Sequence, residues 1–214
     1  MKSFLIIGMS TFGQHLLKEL YDKKCDVFIA DINENVITPN LAYAVTAKIA
    51  DCTDEQVLKS FGVDEFDSCF VCLGGNFTEA LEVASILKEL GAKKVIAEVN
   101  REREKKFLLR NGADMVVYPE EDMAIRVAAE ESSDSVFDFF ELSDGYSIYE
   151  ISVPSAWAGK SLKELRVREK YNINIIAVKQ DGHIVPVLSP DSRFTADEHL
   201  IVMCHKEDIT KFIK

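Results

Sequence analysis

No apolar stretch in this 214-residue chain approaches the roughly 20 residues needed to span a bilayer, so insertion into lipid is not expected. Met1-Lys2-Ser3 runs straight into a strand pattern rather than a signal peptide, which points to the cytosol. Positive charge is scarce as well. Lysine and arginine total 25 against 36 acids, a formal net charge of −11. A chain without a basic surface gains little counterion-release or Coulomb energy from nucleic acid or anionic lipid, and neither is an expected partner. The cysteines number five, an odd count that does not suit a secreted disulfide framework. Cys69 and Cys72 form a C-x-x-C inside the apolar run Cys69-Phe70-Val71-Cys72-Leu73. Residues three apart on a strand point to opposite faces, so the pair cannot chelate one ion and is read as structural. The four histidines are scattered without metal-ligand spacing.

What the chain does contain is an organising stretch at its start. Phe4-Leu5-Ile6-Ile7-Gly8-Met9-Ser10-Thr11-Phe12-Gly13 reads as a buried strand, a tight turn and the opening of a helix. Gly8 suits a sharp turn, and Gly13 lets the helix approach the strand closely. A helix starting there aims unpaired N–H groups and a positive dipole end at a phosphate. Asp31 closes the next apolar run, Val27-Phe28-Ile29-Ala30, about twenty residues on, where a carboxylate accepts hydrogen bonds from ribose hydroxyls. Two bland readings stay open beside this one: a purely structural turn, and Asp31 as a loop or helix cap. The middle glycine of the usual G-x-G-x-x-G is Ser10, whose side chain takes space that a diphosphate normally approaches.

The first half alternates short apolar runs with helical patterns, the signature of a doubly wound parallel α/β sheet with crossover helices. Strands are expected at 4–7, 27–31, 44–50, 68–73, 94–99 and 115–118. Helices are expected at 12–23, from Thr53 or Asp54 to about Phe61, and at 77–90 and 101–111, with another starting at Pro119. A loop carrying Pro39 links the second and third strands. The pattern changes after about Ser133. Val136-Phe137-Asp138-Phe139-Phe140 is dense in aromatics and is either core or a surface for a second chain. Ser143-Asp144-Gly145 marks the expected boundary. Beyond it, alternation predicts a small α+β module in which Tyr149, Ile151 and Val153 share a face. A helix is expected over 161–170, strands over 174–179, 184–188 and 200–204, and a terminal helix over 206–214. A module of some seventy residues is marginal alone and is expected to pair with a copy of itself.

The order Gly8-x-x-x-Phe12-Gly13, Asp31, Asp51-Cys52-Thr53, Gly74-Gly75-Asn76, Asn111-Gly112-Ala113-Asp114 and Pro119-Glu120-x-Asp122-Met123 resembles the RCK (regulator of potassium conductance) domain. The tail Gly159-Lys160-Ser161-Leu162, Leu165, Arg168, Lys170-Tyr171 and Asn174-Ile175 resembles its partner RCK-C domain. Together they look like the Ktr/Trk regulators of potassium uptake, close to the KtrA type. The resemblance implies a Rossmann-like RCK-N domain over 1–133, a crossover segment over 134–144, and an RCK-C ligand-binding and dimerisation domain over 145–214.

It also implies a non-enzymatic gate: a cytoplasmic subunit, peripheral on the inner face of the membrane. Homodimers would assemble into a ring, taken as an octamer, beneath an integral-membrane potassium-translocating subunit. The ligands implied are ATP, ADP or NAD(H). By position, Gly8, Ser10, Thr11, Phe12 and Gly13 would meet the phosphates, Asp31 the ribose, and Asp51 and Cys52 the adenine. Gly74 and Asn76 would line the opposite wall, with Arg101, Arg103 or a neighbouring subunit supplying a substitute cation. Glu120 matches a family glutamate associated with a divalent or monovalent cation, although it also suits a first helical turn without one. Leu162, Val167, Arg168, Asn174, Ile175 and Pro190 fall where some relatives hold cyclic di-AMP; Arg168 also suits a plain surface charge. One departure matters most: Thr11 stands where the family carries an arginine that reaches a triphosphate. That loss of a charge-assisted contact puts ATP–ADP discrimination in question and favours NAD(H), or a vacant N-terminal site. The competing readings are an NAD(H)-binding redox sensor or a small oxidoreductase. Against the latter, the chain holds no Tyr-x-x-x-Lys pair to supply a positioned acid or base.

Overall fold

The computed structural model describes residues 1–132, 135–186 and 189–210, in two compact units, Met1–Glu121 and Asp122–Lys214. The expected boundary at 133, the end of the strand expected over 184–188, and residues 211–214 lie outside the described residues.

The first unit alternates strand and helix. Its elements are β1 Ser3–Ile7, α1 Thr11–Asp22, β2 Asp26–Asp31, α2 Glu34–Ile37, β3 Thr46–Ile49, α3 Glu55–Ser60, β4 Ser68–Val71, α4 Phe77–Glu89, β5 Val95–Glu98, α5 Glu102–Arg110 and β6 Met115–Val117. Helix α6, Pro119–Glu131, runs across the division. The six strands pair in parallel in the order β3-β2-β1-β4-β5-β6, the doubly wound Rossmann-like arrangement the alternation predicted. In such a sheet the chain winds one way from β1 and the other way from β4, and a crevice opens at their carboxyl ends. Register places Ile7 beside both Ala30 and Val71, so the Gly8 turn enters that crevice.

Both faces of the sheet are covered. Leu5, Ile7, Cys69 and Val71 pack with Val83 and Leu87 of α4 and Leu108 of α5. Ile6, Ile29, Phe70 and Cys72 pack with Leu17 of α1. Removing each of the aliphatic and phenylalanine side chains among these from water contributes about 1.5–3 kcal/mol. Cys69 and Cys72 fall in different clusters, as two-residue strand periodicity requires. The connection carrying Pro39 is helical rather than a plain loop: Asn33 caps α2 through its side chain, and a 3-10 turn, Thr38–Tyr43, accommodates Pro39 in its first turn. Asp54, not Thr53, caps α3.

The second unit holds β7 Val136–Ser143, β8 Tyr146–Ser152, α7 Leu162–Leu165, α8 Val167–Tyr171, β9 Asn174–Gln180, β10 His183–Val185, β11 His199–His205 and α9 Lys206–Ile209. Its strands pair antiparallel in the order β10-β9-β11-β8-β7. Segment 134–144 is therefore not a bare crossover, since most of it is an edge strand of this sheet. The expected boundary at Ser143-Asp144-Gly145 is a hairpin turn, with φ of 53° at Asp144 and 77° at Gly145, the positive pair that a two-residue loop demands. The dense aromatics divide: Val136 and Phe139 join the core with Tyr149 and Ile151, while Phe140 is exposed. The helix expected over 161–170 is two short helices, broken at Arg166, whose φ is 50°.

Candidate functional site

The turn between β1 and α1 is built from close approaches. Gly8 sits at φ +83°, and an added Cβ would lie 2.7 Å from the Cys72 carbonyl carbon. A Cβ on Gly13 would meet both the Cys72 side chain and the Gly8 carbonyl at 3.0 Å, so both glycines have the steric roles their positions suggested. Ser10 caps α1: its Oγ accepts the Gly13 N–H at 3.1 Å. That hydroxyl also donates to Glu98 Oε2 at 2.6 Å. The N–H groups of Thr11 and Phe12 stand in the first turn, where a helix offers no internal acceptor. The Phe12 ring packs into the sheet's core, so this residue can offer a ligand its backbone only.

Asp31 ends β2 and turns back to the same loop. Its Oδ2 accepts the Met9 N–H at 2.7 Å and its Oδ1 the Asn33 N–H at 2.8 Å. Beside it opens a cleft of about 110 Å³ lined by Gly8, Asp31, Ile32, Asp51, Cys52, Thr53, Leu73 and Glu79, among others. The structure thus brings Gly8, Asp31, Asp51 and Cys52 together. Asp51 accepts hydrogen bonds from the Thr53 hydroxyl at 2.7 Å and N–H at 3.0 Å, and these hold its carboxyl below the usual range. Burial, followed by the charges of Asp51 and Asp31, pushes the Cys52 thiol up to about 12, so a neutral, apolar sulfur faces the cleft.

Across the crevice, Gly74 takes φ +59°, and a Cβ there would come within 3.6 Å of the Ser10 Cβ. The turn after β4 therefore faces the opening of α1. Asn76 caps α4, its Oδ1 accepting the Glu79 N–H at 3.5 Å, and does not line the cleft. Arg103 lies exposed on α5 and is not part of the lining either.

Sequence reasoning missed two acids. Glu79, in the first turn of α4, faces the cleft. Glu98 is the last residue of β5, and its signal was the one used for Asp31: an acid closing an apolar run at the crevice end of a strand. Burial pushes the Glu98 carboxyl up and the Glu120 charge adds to this, against the opposing Ser10 hydrogen bond. Glu120, in the first turn of α6, therefore faces another carboxylate. Among the described residues no three acids, histidines or cysteines cluster to hold a metal, so a cation at Glu120 would draw on few side-chain donors of this chain.

In the second unit a groove of about 240 Å³ gathers Leu162, Val167, Arg168, Asn174 and Ile175, together with Arg166, Glu169 and Ile173. Arg166 pairs with Glu169 on its rim. Pro190 is not in the lining; its carbonyl accepts the Lys163 N–H at 3.0 Å. The capping box of Ser161 and Glu164 fixes the start of α7, which positions Leu162.

A TrkA-N domain model matches residues 4–119 and a TrkA-C domain model residues 147–214. The chain is 36% identical over 213 residues to Ktr system potassium uptake protein C of Bacillus subtilis, a match covering 100% of this chain and 96% of that protein. It is 34% identical over 211 residues to Ktr system potassium uptake protein A of the same organism, covering 99% and 95%. Among solved structures, the GsuK RCK domain is similar with a TM-score of 0.68 at 18% identity, covering 99% of this chain and 47% of that one. The GsuK channel bound to NAD gives 0.68 at 18%, covering 97% and 38%; at such identity the likeness is one of fold. With both domain models matched in order and the Ktr proteins aligned along nearly their whole length, the chain belongs to the RCK-domain family of Ktr potassium-uptake proteins.

Proposed function

We propose that this chain is the regulatory, non-catalytic subunit of a potassium uptake system, and that an adenine nucleotide in the crevice of its first unit is the signal it reads. The observation that carries the reading is the pairing of Asp31 with the Gly8–Ser10 turn: one carboxylate both fixes the loop and faces the cleft beside Asp51 and Cys52. Asp31 accepts the ribose hydroxyls there, the neutral Cys52 and the apolar wall receive the adenine, and the start of α1 receives the phosphates through backbone N–H groups. Candidate ligands are ATP, ADP and NAD(H), and NAD is what the similar GsuK channel is bound to.

Occupancy acts through assembly. Copies of the chain pair and build a ring on the cytoplasmic side of an integral-membrane potassium-translocating partner, with eight copies as the working stoichiometry. A ligand shifts that ring only by the difference in its affinity for the ring's two shapes. A second input is cyclic di-AMP in the groove at Leu162, Arg168 and Asn174, lowering uptake. No helix among the described residues is long and apolar enough to cross a membrane, which suits a subunit attached through its partner.

Calorimetry of the full chain against ATP, ADP, NAD, NADH and cyclic di-AMP tests both inputs. Saturable heat with at least one adenine nucleotide, reduced at least tenfold in affinity by Asp31→Ala, is the expected result. Binding unchanged by that substitution would mean that the nucleotide sits elsewhere.

A further inference from the structure

Two acids close strands of the parallel sheet at its crevice end. Asp31 is the last residue of β2 and Glu98 the last of β5. In the order β3-β2-β1-β4-β5-β6, β2 is the second strand of the first half and β5 the second strand of the other. The two carboxylates therefore hold equivalent places in the two mononucleotide-binding halves of a doubly wound sheet, across whose junction a dinucleotide lies. Each is tied to the same turn: Asp31 to the Met9 N–H, Glu98 to the Ser10 hydroxyl at 2.6 Å.

Among the described residues, the groups that interact electrostatically with Glu98 include Ser10 at the start of α1, Cys72 after β4, and Glu120 at the start of α6. None of them is a cation. Arg101, the basic residue nearest in sequence, pairs with Glu104 at 3.9 Å, and Thr11 at the mouth of α1 is neutral. The far half of the crevice is thus acidic, while the helix N-terminus offers only N–H groups and a partial charge. A carboxylate in that position accepts hydrogen bonds from hydroxyls and repels a phosphate.

We propose that Glu98 is a specificity residue of this crevice: it accepts the hydroxyls of a second nucleoside and bars an unesterified terminal phosphate, so that the preferred ligand is a dinucleotide of the NAD(H) class rather than ATP or ADP. The proposal rests on the adenine-nucleotide reading above and adds to it which end of the ligand is discriminated, and by what. A diphosphate esterified on both sides ends at the start of α1 and presents ribose to Glu98. A triphosphate carries its most charged end into the two acids, where charge repulsion at short range in a half-buried site costs a large factor in affinity.

The test is calorimetry of the full chain with NADH, ADP-ribose and ATP, in wild type and in Glu98→Gln. The amide keeps an acceptor for Ser10 while removing the charge. Wild type is expected to bind NADH about tenfold or more tighter than ATP, and Glu98→Gln to narrow that ratio at least about fivefold, chiefly by strengthening ATP. In wild type alone, raising the salt concentration is expected to narrow the same ratio by screening the repulsion, a readout that stands if the variant fails to fold. ATP bound as tightly as NADH in wild type, or a ratio indifferent to both Glu98→Gln and salt, overturns the role of Glu98 while leaving the crevice reading intact. Absence of heat with every ligand, ADP-ribose included, overturns the crevice reading and this proposal with it.

Discussion

The carboxylate of Asp31 accepts the Met9 N–H at 2.7 Å, across 22 residues of chain. The acid that ends β2 is thereby part of the turn that follows β1, and each of its oxygens keeps a lone pair for a ligand hydroxyl. Loop shape and the proposed ribose contact share this one carboxylate, so on that reading damage to one is damage to the other.

Asp31→Ala should therefore do two things. It leaves the Met9 and Asn33 N–H groups without their acceptor, and an unmet partly buried donor costs about 1–3 kcal/mol. Chemical denaturation is expected to show that loss, and calorimetry a drop of at least about tenfold in adenine-nucleotide affinity. Asp31→Asn, whose single acceptor oxygen can meet only one of the two N–H groups, should recover part of the stability but little of the affinity.

Gly8→Ala puts a methyl against the Cys72 carbonyl at a backbone angle of +83°. A non-glycine residue forced into such a conformation costs about 1–3 kcal/mol before any clash. The expected outcome is a lowered denaturation midpoint together with loss of nucleotide binding, since the turn cannot keep its shape.

Glu150 lies in the second unit with Lys179 Nζ at 2.8 Å and His199 Nδ1 at 2.7 Å, and Phe137 stacks on the His199 ring at 3.9 Å. Burial pushes this carboxyl up, but the hydrogen bonds from His199 and Lys179 bring it below its ordinary value. A group with a lowered folded pKa contributes stability at pH above its unfolded value and loses it as the pH falls through the folded one. Wild type should accordingly lose stability as the pH drops below about 4.3, the ordinary glutamate value, and Glu150→Gln should flatten that slope. Lys179→Met should destabilise at neutral pH by about 1.5–3 kcal/mol, the range for hydrogen bonds to charged groups. Urea titrations at several pH values check all three.

Thiol chemistry offers a simple test of the packing. Cys52, Cys69, Cys72 and Cys204 are buried, whereas Cys25 is partly exposed. Burial pushes Cys69 up to about 12 and, with the Asp208 charge adding, Cys204 up to about 11, which leaves almost no thiolate at mildly alkaline pH. Mass spectrometry after brief alkylation of the native protein should find one label, at Cys25, and five after denaturation.

Arg168 lines the C-terminal groove with Leu162, Asn174 and Ile175. If cyclic di-AMP binds there, Arg168→Ala removes a charge-assisted phosphate contact and should weaken binding by about tenfold or more, while the denaturation midpoint stays within experimental error. Equal affinity in the variant would place that ligand elsewhere.

Local pattern determined most of the first unit. A continuous apolar run such as 69–73 suits a strand covered on both faces, and β4 takes up Ser68–Val71 of that stretch. Gly8 and Gly13 bear on backbone angles within a single strand–turn–helix unit and Asp31 closes the next strand, and the proposed adenosine end of the crevice was read from these. The second unit was less legible. Asp144-Gly145 reads equally well as a domain boundary and as a hairpin, because the turn conformation is the same and only the pairing of β7 with β8 separates them. The break at Arg166 left no mark on the apolar periodicity. The acids show where local information ends: Asp31 was visible because its spacing from the glycines is a known one. Glu98 and Glu79 became site residues only when the sheet order carried the end of β5 to Ser10 and the start of α4 to the cleft. Contacts between residues 88 positions apart depend on which strands lie side by side, and that is decided by the burial of both sheet faces at once rather than by any stretch of sequence alone.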